Sequence, residues 1–269
     1  MSGLTGRVAL VTGAARGQGR SHAVRLATEG ADLVICDIST GFASTDYKGS
    51  TAEDLEETVR LIEKTGRKVL AREADIRDLG AMERLVADAI TKFGRLDIVA
   101  ANAGVMSANK AWEITEEQWK DVIDVNLTGT FYTLKAAVPA MIAAGNGGSI
   151  IITSSTAGRK GAPFVAHYSA SKHGVVGLAR TFALELGEYD IRVNTVHPVG
   201  VLTDMILGPH LQELLPTVAL TVGPTYMNTL PYDFIPAEAV SNMVAWLASD
   251  ESKYCTGSQF VVDLGNTSR

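Results

Sequence analysis

Two hydrophobic periods alternate along the chain. Short, largely β-branched runs ("RVALV", "ADLVIC", "KVLARE", "LDIVAAN", "SIIIT", "RVNTV" and "QFVVD") are separated by longer segments whose apolar positions recur every three to four residues. Between Leu79 and Phe93, the residues Leu79, Met82, Leu85, Val86, Ala89, Ile90 and Phe93 mark a single buried helical face. Further helices are expected over Gln18 to Glu29, Thr51 to Thr65, Thr115 to about Ala144, through Tyr168 to Glu188, and Pro236 to Ser249. Strands apolar on both faces and linked by helices predict an α/β fold, a doubly wound Rossmann domain of about seven parallel strands with helices on both faces. No internal repeat or linker divides residues 1–269, so the chain reads as a single domain.

Two segments depart from the short connections of such folds. Ile38 to Ser50, "ISTGFASTDYKGS", is about 13 residues where roughly 2–6 is usual. Leu202 to Ile235 is a second excursion, rich in Leu, Met, Tyr and Pro. Both follow strand C-terminal ends, the edge at which these sheets bind ligands.

A net charge of −6 without any block of Lys and Arg argues against nucleic acid or an anionic membrane as partner and favours small-molecule chemistry. The amino-terminal apolar run breaks at Gly13, unlike a signal peptide, and no stretch approaches the roughly 18 apolar residues of a membrane span. Cys36 and Cys255 lie far apart, no Cys/His spacing suggests a metal, and a cytoplasmic location is expected.

After the first strand comes "TGAARGQG". Gly13, Gly17 and Gly19 permit positive φ and close approach to a ligand, while the following helix offers free N–H groups to an anion. With Arg16 and Gln18 they form the expected dinucleotide-contacting turn, suited to a pyrophosphate. Asp37, 18 residues beyond Gly19 at the end of the second strand, is placed to accept from a ribose hydroxyl. Its charge would repel a 2′-phosphate, favouring NAD over NADP, whereas Arg16 could pair with that phosphate and argues the other way. Asp75 and the Ile76 backbone are placed to bracket an adenine. Asn102, Ala103 and Gly104 end the fourth strand, where Asn can hold a local turn through its own backbone and the small residues leave room for a sugar.

In "AHYSASKHG", Tyr168 and Lys172 stand four residues apart on one helical face among small neighbours. An adjacent ammonium favours the phenolate and is expected to lower the phenol pKa by about 1–3 units, making Tyr168 a usable acid–base group. Ser155 closes the fifth strand thirteen residues earlier, and Asn126 lies within a long helix in which Asn is a mediocre former.

Taken together, the glycine turn, Asp37, "NAG", Asn126, Ser155 and the Tyr168/Lys172 pair resemble the short-chain dehydrogenase/reductase family in order, spacing and strand placement. The resemblance implies that Tyr168 exchanges the proton of a substrate hydroxyl and Ser155 orients the substrate oxygen. It implies too that Lys172 lowers the tyrosine pKa and binds nicotinamide ribose, and that Asn126 holds a proton-relay water. "HPVGVLTDM" is similar to the segment lining the carboxamide, which gives Pro198, the Val201 backbone and Thr203 as contacts. Ala101 and Val199 replace the family's usual Asn and Gly.

The 38–50 insertion and "GAARGQGRSHAVRLA" resemble the mycofactocin-associated subgroup, which includes carveol dehydrogenases. That likeness implies tightly bound NAD, an external redox carrier such as mycofactocin, and a homotetramer. Phe42 and Tyr47 would fold over adenine and pyrophosphate, with Thr51 and Asp54 as a capping box anchoring the loop. Residues 202–235 read as a lid over an apolar, alicyclic or terpenoid-like alcohol or ketone, or as a subunit contact. A reductase with exchangeable NAD(P)H, such as a 3-oxoacyl reductase, and a noncatalytic dinucleotide sensor are the alternatives.

Overall fold

The computed structural model describes residues 3–218, 220 and 222–268. Every predicted apolar run becomes a strand: β1 Val8–Thr12, β2 Asp32–Asp37, β3 Val69–Glu73, β4 Ile98–Ala101, β5 Gly148–Thr153, β6 Ile191–Pro198 and β7 Gln259–Val262. They form one seven-stranded sheet in the order β3-β2-β1-β4-β5-β6-β7, and all six pairings are parallel.

Burial on both faces makes β1, β2, β4 and β5 largely apolar, whereas β6 buries Arg192, Asn194, Thr195 and His197 with hydrogen-bond partners. Val8, Leu10, Val34, Cys36, Val99 and Ile150 enter one core, with α3 (Leu79–Phe93), α5 (Thr130–Ala144) and α6 (Ala166–Leu186) packed over it. Ala9, Val11, Leu33, Ile35, Ile98 and Ile151 enter the other, covered by α1 (Gly17–Thr28), α2 (Ala52–Glu63) and α8 (Ala237–Ala248).

Helix ends follow the local chemistry. Thr51 and Asp54 do form a reciprocal capping box at α2, and Asp78 caps α3, which closes on left-handed Gly94. The long helix expected from Thr115 to about Ala144 is not uniform. It divides into α4 (Glu116–Ile123), a π-helical turn over Asp124–Gly129, and α5. At that turn Gly129 lies against Ile76, where a Cβ would approach the Ile76 Cδ1 to 2.6 Å. The 202–235 segment carries a short helix, α7 (Pro209–Leu214).

Candidate active site

The C-terminal sheet edge opens into a cavity of about 1050 Å³. Gly13, Arg16, Gly17, Gln18, Gly19, Asp37, Asp75, Ile76, Asn102, Ala103 and Gly104 line one part of it. Ser155, Tyr168, Lys172, Pro198, Val201 and Thr203 line the rest. Of the residues expected from sequence, Asn126 alone is absent from this wall.

The glycine turn is built for a close-lying ligand. Gly13 and Gly17 have φ of +67° and +53°, and a Cβ on Gly13 would come within 2.7 Å of the Ala103 Cα. The α1 N-terminus has neither a side-chain cap nor an acidic residue in its first turn. Its N–H groups and dipole therefore suit an anion such as a pyrophosphate. Arg16 is held by Asp204 of the 202–235 segment at 2.6 Å, so its guanidinium is already partnered.

Asp37 accepts from the Ala15 and Ile38 N–H groups, each at 2.8 Å, and from the Ser50 hydroxyl at 3.0 Å. Burial raises its pKa and these donors oppose the rise. Asp75 is gripped by Arg77, with Nη2 at 2.7 Å and Nε at 2.9 Å, and Arg77 itself stacks over Phe42 at 4.7 Å. Asn102 departs from the expectation of a self-bonded turn. Because β4 lies between β1 and β5, its Nδ2 donates to the Thr12 carbonyl at 3.2 Å and its Oδ1 accepts from the Thr153 hydroxyl at 3.3 Å.

At the other end, Lys172 Nζ stands 5.4 Å from the centre of the Tyr168 ring, so the pair shares a face as expected. The expected lowering of the phenol pKa does not occur. Burial pushes Tyr168 up to about 12, only partly opposed by its hydrogen bond with Ser155. Burial also brings Lys172 down to about 8, and its ammonium donates to the Thr153 carbonyl at 2.8 Å. Desolvation is the largest cause of both shifts. Ser155 Oγ accepts from the Ala157 N–H at 3.1 Å, which leaves its own proton to be donated.

Asn126 is fully buried behind this wall. Its Oδ1 accepts from the Val105 N–H at 2.8 Å, and its Nδ2 donates to the Val105 carbonyl at 2.9 Å and to Ser171 at 3.1 Å. A Cβ on Gly104 would lie 3.2 Å from the Asn126 Oδ1 and 3.4 Å from Lys172 Nζ. The chain after β4 is thus pinned close to the lysine.

Within the 38–50 segment Phe42 lies under Arg77, while the Tyr47 ring lies 6.0 Å from the Arg16 guanidinium of the glycine turn and its oxygen accepts from the Met106 N–H at 3.1 Å. The two rings thus have different anchors, the Arg77 guanidinium for Phe42 and, for the Tyr47 oxygen, the backbone after "NAG". Met106, Ala162 and Val165 face Met205, Ile206, Leu211 and Leu215 across the substrate end. Sequence reading missed the first three, which lie in loops or at a helix start with no periodic signal. Tyr226, Met227 and Tyr232 also line the cavity, whereas Leu207 is 49% exposed and points away from it.

Residues 7–208 match the family described as short chain dehydrogenase, and the chain belongs to it. It is 54% identical over 267 residues to an uncharacterized NAD-dependent oxidoreductase of Mycobacterium tuberculosis, covering 97% of this chain and 96% of that one. Identity to a (-)-trans-carveol dehydrogenase of Rhodococcus erythropolis is 44% over 277 residues, covering 99% of each. The crystal structure of a carveol dehydrogenase from Mycobacterium avium in complex with NAD superposes with a TM-score of 0.95 at 44% identity, covering all of both chains.

Proposed function

We propose that this protein is an NAD-dependent dehydrogenase that oxidises an apolar secondary alcohol, alicyclic or terpenoid-like, to its ketone. The observation that carries the reading is the convergence of Ser155, Tyr168 and Lys172 on the same cavity as the glycine turn and Asp37, facing an apolar wall.

The glycine turn with Arg16, Gln18 and the α1 N-terminus would hold the pyrophosphate. Asp37 would hold the adenosine ribose, Asp75 and Ile76 the adenine, and Asn102, Ala103, Gly104, Pro198, Val201 and Thr203 the nicotinamide half. Bound NAD supplies the acceptor for the hydride leaving the carbinol carbon and, when oxidised, a positive charge in the cavity. Ser155 would donate its hydroxyl proton toward the substrate oxygen, and Tyr168 would take up the alcohol proton at Oη as the phenolate. The Lys172 ammonium and the positive charge of bound oxidised NAD would favour that form against the burial that raises the phenol pKa in the cavity alone. Lys172, cationic at neutral pH, has N–H donors beyond the one on Thr153 for the ribose hydroxyls and supports the phenolate. Asn126 fixes the backbone at Val105, and a relay water at its turn is part of the same reading.

We treat residues 1–269 as one unit in which 38–50 covers the cofactor and 202–235 closes over substrate. Two ties favour a nucleotide that leaves slowly: Arg16 to Asp204 across the turn, and Asp46 accepting from the His210 N–H of α7 at 2.5 Å. Slow release calls for an external electron carrier of the mycofactocin kind. The same proposal carries a homotetramer working in the cytoplasm. Among the described residues no helix is long and apolar enough to cross a membrane.

The experiment is an alcohol panel including (-)-trans-carveol and cyclohexanol, run with and without an artificial electron acceptor on protein whose bound nucleotide has been released and identified. Oxidation of alicyclic alcohols that depends on the acceptor supports the reading. Activity confined to acyl-thioester ketones with added NADPH would replace it with the reductase alternative.

A further inference from the structure

His197 lies at the end of β6, fully buried, with both ring nitrogens engaged. Its Nδ1 is 2.8 Å from the main-chain carbonyl oxygen of Ser155, and its Nε2 is 2.8 Å from Thr195 Oγ1. A carbonyl oxygen only accepts, so Nδ1 carries the proton. Burial brings the ring down to about 4, and Arg159, Lys172 and His173 further oppose its protonation. The neutral ring then accepts at Nε2. Thr195 can donate to it at 2.8 Å, in preference to the Ser258 carbonyl at 3.4 Å.

The location of this bond matters. Backbone pairing between β5 and β6 ends at Thr153 and Val196, with one more bond from the Ser154 N–H to the Val196 carbonyl. Ser155 is the first residue beyond the ladder. It is extended, with φ −170° and ψ 167°, and leads directly into a 3-10 turn over Thr156–Gly158. Within that turn the Gly158 N–H donates to the Ser155 carbonyl at 2.9 Å. His197 is the link from the sheet to that same oxygen, so it fixes the Ser155 peptide relative to β6.

We propose that His197 is a positioning residue: its Nδ1–H tautomer continues the β5–β6 ladder by one side-chain bond and sets where the Ser155 hydroxyl meets Tyr168 and the substrate oxygen. The proposal rests on the reading of Ser155 and Tyr168 as the reacting pair. Removing the bond leaves the Ser155 carbonyl tied to its own turn alone, and a shift of that turn moves the Ala157 N–H that holds the Ser155 Oγ at 3.1 Å.

Asn and Gln separate this role from simple packing. An Asn amide places its donor near the Nδ1 position, and a Gln amide near Nε2. His197→Asn, His197→Gln and Ser155→Ala are purified with their bound nucleotide and assayed on the alcohol that wild type oxidises fastest. His197→Asn is expected to keep kcat within about threefold, whereas His197→Gln loses about 10- to 100-fold in kcat with KM and nucleotide content nearly unchanged. Imidazole 15N spectra of the wild-type protein are expected to show an Nδ1–H tautomer for His197 at neutral pH. Asn and Gln variants that behave alike, or an Nε2–H tautomer, overturn the proposal. If that happens while Ser155→Ala is inactive, the site reading survives. Wild-type turnover by Ser155→Ala removes the site reading, and this proposal with it.

Discussion

At the scale of single residues, Asp37 is the proposed ribose-binding group, and its carboxylate is already held in place by neighbouring donors. Ala15, Ile38 and Ser50 already donate to its carboxylate and fix both oxygens at the edge of the cavity. Asp37→Asn removes the charge while keeping the size. A hydrogen bond to a charged group contributes about 1.5–3 kcal/mol, so NAD affinity is expected to fall about 10- to 100-fold and the preference over NADP to shrink. Competition titration of the nucleotide-free protein measures both, and an unchanged NAD/NADP ratio would remove Asp37 from its assigned place. Asp37, Ser155, Tyr168 and Lys172 were legible because chain spacing alone brings them to strand ends or to one helix face. The partners of Asn126 and Asn102 were not. The Asn126 side chain reaches Val105, 21 residues earlier, and Asn102 reaches Thr12, 90 residues earlier. No local pattern records such pairings. The phenol pKa was misjudged for a related reason: the charge pair is visible in sequence, but the burial that outweighs it is a property of the packed cavity.

Among the elements, the two long excursions after strand ends meet each other. Asp46, in the first, accepts from the backbone N–H of His210 near the start of α7, in the second. A carboxylate at a helix start contributes about 0.3–1 kcal/mol and up to about 2 in partly buried settings. Asp46→Ala is therefore expected to speed nucleotide release about 3- to 10-fold, read by trapping released NAD with an NAD-consuming enzyme. An unchanged release rate would separate the insertion from cofactor retention. Sequence periodicity placed the helices well because each has one buried stripe. It did not reveal the π-helical turn at Asp124–Gly129, a six-residue change of winding inside the expected helical run. The capping box at Thr51 was readable because its chemistry is confined to four consecutive residues.

For the molecule as a whole, three fully buried histidines link stability to pH. Burial holds His22 at about 3, and His167 and His197 at about 4, against an ordinary value of 6.5. Since the folded values are lowered, the unfolded chain takes up protons that the folded chain refuses as the pH falls from about 6.5 to 4. Stability is complete above that window and is lost through it, at up to about 1.4 kcal/mol per pH unit for each histidine. Melting temperatures measured at fixed nucleotide occupancy should drop between pH 7 and pH 5, and a flat profile would contradict the neutral, buried rings. The parallel α/β class was readable because short, mostly apolar runs alternate with helical periods, whereas the strand order depends on crossovers that no single run encodes. The account as a whole turns on Tyr168 carrying the proton in a cavity that also holds NAD. The most direct test measures alcohol turnover and bound NAD together in Tyr168→Phe. Turnover is expected to fall about 100- to 10,000-fold with NAD retained at the wild-type level, whereas near-normal turnover with NAD in place would contradict the assignment.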